Sequence, residues 1–575
     1  MKNFLKMVLA VICGILLLNL LIIAVFAGLG GSKTPKVPAE GVLKIDMSKI
    51  VVAEQTRDSD PLTMIQAGGQ QIATIGIWEA TQAIKAAADD PGIKYIYLKT
   101  DGNSTGIANL SELRKSLAGF RANSGKAVVA YIEAPSTGSY YLASVADKVY
   151  MTPHPGATIQ VNGISTQMIF LGDLLKKLGV NVQLIRHGKY KAAGEMYTRS
   201  NASPENREQN QVMVNSMWNA VAAEIAQSRG ISVDQLNSAL DELKLCLSQD
   251  FVDCGLVDEL LDRDALKQQL ATLAVADSYK KVTMIPFADY VAAKVLPSTI
   301  KNKIAIIYAD GNIIDGESEQ NVSGDRFASV IEKVREDKNV KAVVLRVNSP
   351  GGSVLASEKI KAELDRLGAE KPIVASYGTY AASGGYWISN NCEKIYSDAV
   401  TLTGSIGVFG AIPEFSKTAS DVLHVGVEVV SSSKHGGMYS GMRPFDQAEY
   451  NYVLRSIEDI YDRFTTIVAQ GRDLPKERVD EIGQGRVWTG ADALEIGLVD
   501  ELGTLEDAVG YAAALAGNED LSAWNVKGYP APPTMMEEIM SSLSGPKEDY
   551  AVRLKKEVEQ KGIFARLPYE MTIVF

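Results

Sequence analysis

Histidine and cysteine are scarce in this chain, four of each among 575 residues. The histidines, at 154, 187, 424 and 435, are scattered. No Cys-x-x-Cys pair or His/Cys cluster of metal-ligand spacing occurs, so no metal centre is expected. Four cysteines in a chain this long make no disulfide framework. Excess positive charge is also missing. With 58 basic and 69 acidic residues the formal charge is −11. That argues against nucleic acid as a partner, because phosphate binding needs a basic face. The glycine-rich loop NSPGGS (348–353) lacks the Gly-Lys-Ser/Thr of a phosphate loop, which disfavours a nucleotide site. No cofactor is expected.

Long apolar runs are also rare, with one exception. Residues 7–28 are uncharged and strongly apolar, and Lys2 and Lys6 precede them. A bilayer core of ~30 Å takes roughly 20 helical residues, so this run predicts an uncleaved transmembrane helix. A cleaved signal peptide, whose apolar region is shorter, is the alternative. Lys2, Lys6 and the amino terminus slightly outweigh Lys33 and Lys36 on the other side. The expectation is a single-pass protein of the inner (cytoplasmic) membrane, with its body on the extracytoplasmic (periplasmic) side.

What is present in abundance is a repeat. YAASGGYWISNNCEKIY (380–396) follows the pattern of PSTGSYYLASVADKVY (135–150) at an offset of 246, which sets Ser383 opposite Thr137. VKAVVLRVNSPGGSV (340–354) matches IKYIYLKTDGNSTGI (93–107), and IGLVDELG (496–503) matches CGLVDELL (254–261). Three segments at nearly one offset indicate duplication of a whole domain. Apolar runs such as IKYIYLK and KAVVLRV alternate with amphipathic stretches such as WEATQAIKAAADD, which predicts mainly parallel sheets flanked by helices, an α/β architecture. The expected organisation is an anchor and linker at 1–36, a first domain at 37–299, a second at 300–518 and a tail at 519–575.

The copies have lost different parts. The second has Ser383-Gly384-Gly385 and an intact Gly351 and Gly352, where the first has Thr137, Ser104 and Thr105. The first has Lys191, opposite Gly436 or Gly437. Ser383 lies between an apolar strand and an apolar helical stretch, a corner where the first helical amides are unpaired. Gly384 and one of Gly351 or Gly352 can supply two N–H groups to an oxyanion, worth ~3–4 kcal/mol per donor. A lysine acts as base only when neutral, which burial favours; Lys189 adds repulsion if it lies close. Taken singly, each glycine turn and the lysine are ordinary features. Their complementary loss is what points to a Ser383/Lys191 pair.

YAASGGYWIS, NSPGGS, LTGSIGV (402–408) and GRVWTGADALEIGLVDELG (485–503) together resemble the signal peptide peptidase A (protease IV) family in its long, duplicated form. The resemblance implies two tandem crotonase/Clp-protease-like domains of ββα repeats. It implies a membrane-bound serine endopeptidase that degrades residual signal peptides after their release from secretory precursors, working as a homotetramer. By the same resemblance Ser383 is the nucleophile, Lys191 the general base, Ser405 the residue that orients the lysine, and Gly351 or Gly352 with Gly384 the oxyanion hole. Three rivals stand beside this reading: an acyl-CoA-type enzyme of the same fold, a non-catalytic scaffold, and a Ser-His-Asp protease using His187.

Overall fold

A computed structural model describes residues 35–57, 72–156, 158–319, 321–532, 563–566 and 572–575, together with Gly14. The apolar run 7–28 lies outside the described residues apart from Gly14; among them no helix is long and apolar enough to cross a membrane. The charged stretch EDYAVRLKKEVEQKG (548–562), which reads as a helix in the sequence, lies outside them as well.

Both halves build the same sheet from the same runs. In the first, the order is Met284–Pro286, Gly41–Asp46, Ile93–Lys99, Val128–Ile132, Lys148–Met151 and Glu259–Leu260, all parallel. In the second, Asn525–Tyr529, Lys303–Asp310, Val340–Ser349, Ile373–Ala382, Lys394–Ser397 and Glu501–Leu502 repeat that order, again in parallel. The last strand of this repeat, Asn525–Tyr529, lies past residue 518, so part of the stretch read as a tail belongs to the second sheet. These strands read as near-continuous Val, Ile, Leu and Tyr because helices cover both faces.

Side-chain alternation along the second sheet divides its burial between two cores. Ala305, Ile307, Val343, Leu345 and Ala375 face the second domain's own helices. Ile304, Ile306, Ala342, Val344 and Val374 join the core of the first domain. Within that seam Arg346 is fully buried. Its guanidinium reaches Glu54 at 2.7 Å, Glu112 at 2.7 Å and Asn109 at 2.9 Å, all on the first domain.

Two further connections cross between regions. Asn181–His187, from the first half, pairs antiparallel along the whole of Val408–Glu414 in the second, from His187 opposite Val408 to Asn181 opposite Glu414. The end of the chain supplies two short strands. Ile563–Arg566 runs antiparallel to both Gly351–Ser353 and Val408–Glu414, and Thr572–Val574 runs antiparallel to Ser165–Gln167.

Candidate active site

The site lies where the second sheet turns into its helices. Ile373–Ala382 ends beside Leu402–Gly404, and the helix Gly384–Ser389 starts one residue beyond it. Ser383 stands at the corner with φ 55° and ψ −113°, a backbone conformation that non-glycine residues rarely adopt. Its N–H donates to the carbonyl of Gly404 at 2.8 Å, and its carbonyl accepts from Trp387 N at 2.7 Å. The hydroxyl makes no helix cap. Ser405, at φ 50°, is held in a similar way by a bond from its N–H to the carbonyl of Arg486 at 2.7 Å.

Lys191 reaches this corner from the other half of the chain. The ribbon ending at His187 carries it there, and Tyr190 N donates to Gln484 O at 2.9 Å. Gly485 and Gly407 make room: a methyl on Gly485 would come within 2.5 Å of Lys191 Cβ, and one on Gly407 within 3.2 Å of its Cδ. Lys191 Nζ lies 2.9 Å from Ser383 Oγ, 2.9 Å from Ser405 Oγ and 3.1 Å from the Ser405 carbonyl. All three residues are fully buried.

Among the described residues no carboxylate pairs with the amine, and burial pushes it well below the usual lysine range. Desolvation is the whole cause. The repulsion expected from Lys189 plays no part, because that side chain lies over the Tyr190 ring, 5.1 Å from its centroid. A neutral amine has two hydrogens and one lone pair. With the hydrogens on the Ser405 hydroxyl and carbonyl oxygens, the lone pair is free to accept from the Ser383 hydroxyl.

The glycines are packed as close approach requires. A Cβ on Gly384 would sit 3.1 Å from both Gly351 Cα and Gly352 N, and one on Gly352 would sit 1.8 Å from Ile313 O. The choice between Gly351 and Gly352 narrows here, because the Gly351 N–H donates to Ser349 Oγ at 3.2 Å. Alongside these glycines lies the strand Ile563–Arg566, with Arg566 opposite Gly351 and Ala565 opposite Gly352. The cleft thus accommodates an extended backbone between Gly351–Ser353 and the ribbon.

The residues that hold the lysine loop were not evident in the sequence. Glu195 is buried and accepts from Arg186 at 3.1 Å, Ser203 N at 3.1 Å and Asn206 at 3.1 Å. Burial alone would raise its carboxyl, but the bonds from Ser203, Asn206 and Arg186 prevail and hold it below the ordinary range. Gln209 donates to the Tyr190 carbonyl at 3.0 Å, and Arg186 to that of Lys191 at 2.7 Å. Each is a polar residue in a long polar stretch, and nothing local marks it as a support. His187 stacks on Tyr461 at 3.9 Å between ring centroids and has no carboxylate partner among the described residues, which argues against the Ser-His-Asp rival.

Residues 121–277 and 365–519 each match peptidase family S49. The chain belongs to that family. It is an enzyme, a serine peptidase. Protease 4 of Haemophilus influenzae is 34% identical over 526 residues, covering 88% of this chain and 84% of that protein. Protease 4 of Salmonella typhi is 35% identical over 544 residues, covering 91% and 85%. A putative signal peptide peptidase of Enterococcus faecium is 35% identical over 213 residues, covering 36% of this chain and 62% of that one. The two nearly full-length alignments agree with the duplicated form.

Proposed function

We propose that this protein is a membrane-bound endopeptidase with a Ser383/Lys191 dyad, which degrades residual signal peptides after their release from secretory precursors. The observation that carries the reading is the 2.9 Å approach of the Lys191 amine, buried and without a counter-ion among the described residues, to the Ser383 hydroxyl. Ser383 Oγ attacks the scissile carbonyl while Lys191 takes its proton. Ser405 fixes the amine's direction through two contacts. The N–H groups of Gly384 and Gly352 face the developing oxyanion. Lys191 then returns the proton to the leaving amine, and water, activated by the same base, opens the acyl-enzyme. An extended apolar peptide suits the cleft, since Ile563–Arg566 already lies beside its glycines as a strand. The signal-peptide substrate is supported by the name of the Enterococcus relative, a putative signal peptide peptidase.

The remaining parts of the reading are an anchor at 7–28, a body on the extracytoplasmic side of the inner membrane, and a homotetramer. A second observation favours assembly. Residues 425–430, Val-Gly-Val-Glu-Val-Val, stand 245 positions after 180–185, which include most of the strand that pairs with Val408–Glu414. In the second half this segment has exposed valines at 425, 427, 429 and 430, and the backbone of 426–430 makes no hydrogen bond to the described residues. A neighbouring copy supplies the missing strand if its Ser165–Gln167 plays the part of Val408–Glu414, a head-to-tail contact that closes into a ring.

The decisive test is labelling with a fluorophosphonate probe and mapping of the adduct. It should fall on Ser383 and require Lys191. An adduct elsewhere, or one retained at full rate in Lys191→Met, refutes the dyad. Sedimentation tests the ring: Val427→Lys/Val429→Lys should reduce the oligomer to monomers, and an unchanged oligomer refutes this contact.

A further inference from the structure

The first domain keeps the outline of a peptide cleft without its chemistry. Its bridge between Ser136 and Gln160 repeats the pairing of Ala382 with Gly404, which places residues 159–167 at 244 positions before 403–411. On that register Ser165–Gln167 stands where Phe409, Gly410 and Ala411 stand. The tail then repeats itself too. Phe564 lies opposite Phe409, and Val574 lies opposite Ser165, both in antiparallel pairing. Val574 thus takes the place of Phe564, and Phe575 the place of Ala565, the residue opposite Gly352 in the catalytic cleft.

Phe575 is seated accordingly. Its ring meets Tyr141 edge-on, 5.8 Å between centroids. Beneath it lies Gly138, the counterpart of Gly384. A methyl on Gly138 would come within 2.8 Å of the Phe575 ring, and the three nearest atoms it would meet all belong to Phe575. The hydroxyl at this corner is not available for attack. Thr137 Oγ1 accepts from Asn162 N at 3.1 Å and donates to the Gln160 carbonyl at 3.4 Å. The buried amine of Lys191 is committed to the other cleft. A strand bound here is held and not cut.

We propose that the first domain's cleft is a non-cutting peptide-binding site. It takes an extended apolar peptide along Ser165–Gln167, with a large aromatic side chain seated between Gly138 and Tyr141, and the chain's own residues 572–575 fill it. The binding claim does not depend on the roles assigned to Ser383 and Lys191.

The test uses the full chain with Ser383→Ala, so that nothing is cut, and Phe575→Asp, which empties the cleft. The probe is the peptide Glu-Met-Thr-Ile-Val-Phe, labelled at its amino end and followed by fluorescence anisotropy. Binding should be saturable and should weaken at least about tenfold when Phe575 is restored, since a tethered competitor acts at about millimolar effective concentration. Adding Gly138→Ala to the emptied chain should weaken binding by about the same factor. Alanine favours a helix, and circular dichroism checks that the fold is kept. A peptide ending in Asp should not bind, a control that needs no change to the protein. Absence of binding to the emptied chain, or equal binding with Gly138→Ala or with the Asp peptide, overturns the proposal. Fluorophosphonate labelling of the chain with Ser383 intact reports on the dyad separately.

Discussion

At the corner where strand gives way to helix, the two domains use hydroxyls in opposite ways. In the first, Ser136 is the N-cap at φ −90°, its side chain accepts from Ser139 N, and Ser139 answers it to complete a capping box. In the second, the corresponding helix starts at Gly384 with Ser383 in the cap position at φ 55°, and the side chain caps nothing. A cap is worth ~1 kcal/mol, and a strained φ of this kind costs about 1–3. The second domain gives up a stabilising bond and accepts strain. What results is one hydroxyl aimed at Lys191. Thr137, β-branched and with no positive φ, could not take that conformation cheaply. The same contrast holds at the neighbouring loop, where Thr105 accepts from Val52 N at 3.1 Å while Gly351 and Gly352 leave the cleft open.

The contrast is broken most sharply by Ser383→Ala set against Thr137→Ala. Peptide hydrolysis should fall by ~10³-fold or more in the first and change by no more than about twofold in the second. Comparable losses would mean that the first corner is also working.

Next comes the seam. Arg346 and Lys99 occupy matching positions, but Arg346 is buried between Glu54 and Glu112, whereas Lys99 meets Glu133 at 3.3 Å near the surface. Arg346→Leu leaves two buried carboxylates and should destabilise by about 3–5 kcal/mol in denaturant unfolding. Lys99→Leu should stay within about 1 kcal/mol. Equal effects would show that the seam is not held by the ion triad.

The lysine serves activity and costs stability, and both should rise with pH. The folded chain holds Lys191 well below the pKa near 10.4 that it has when unfolded. Between those two values the unfolded state binds a proton that the folded state does not, so stability rises with pH across that window. Hydrolysis should rise with pH through the lowered pKa, as the amine becomes neutral. Lys191→Met should be inactive, should melt higher by about 2 °C or more at neutral pH, and should lose that stability slope. A lower melting point would contradict the cost assigned to the buried amine. The smallest effect expected is that of Thr137→Ser. Restoring a serine should bring no fluorophosphonate labelling at 137, because no amine waits there, and stability should change by less than about 0.5 kcal/mol.

Much of this was legible in the sequence. The repeat pointed to two α/β domains, and the unequal losses pointed to Ser383, Lys191 and Gly351, Gly352 and Gly384, with Ser405 added by family resemblance. Three of these meet within 3.1 Å. What remained hidden depends on contacts between residues far apart in the chain. Arg346 reads as one charge in an apolar strand, and its partners lie 234 to 292 positions earlier. Gly351 and Gly352 look interchangeable until Ser349 engages one of them. Asn525–Tyr529 falls in the stretch expected to be a tail, and it becomes a strand through pairing with Lys303–Asp310. The silent cleft could not be inferred at all, since it needs residue 575 to meet residue 138.

The ribbon between Asn181–His187 and Val408–Glu414 also sets a schedule. Lys191 leaves the ribosome 214 residues before Ser405, and Gly485, which packs against the lysine, follows later still. At ~5–20 residues per second, roughly 10–40 s separate the synthesis of the proposed base from that of the residue proposed to orient it. Ser383 itself follows Lys191 by 192 residues, so for most of that interval the lysine has nothing to activate. A nascent protease of this kind is harmless to its own chain and to its neighbours until nearly all of it has been made.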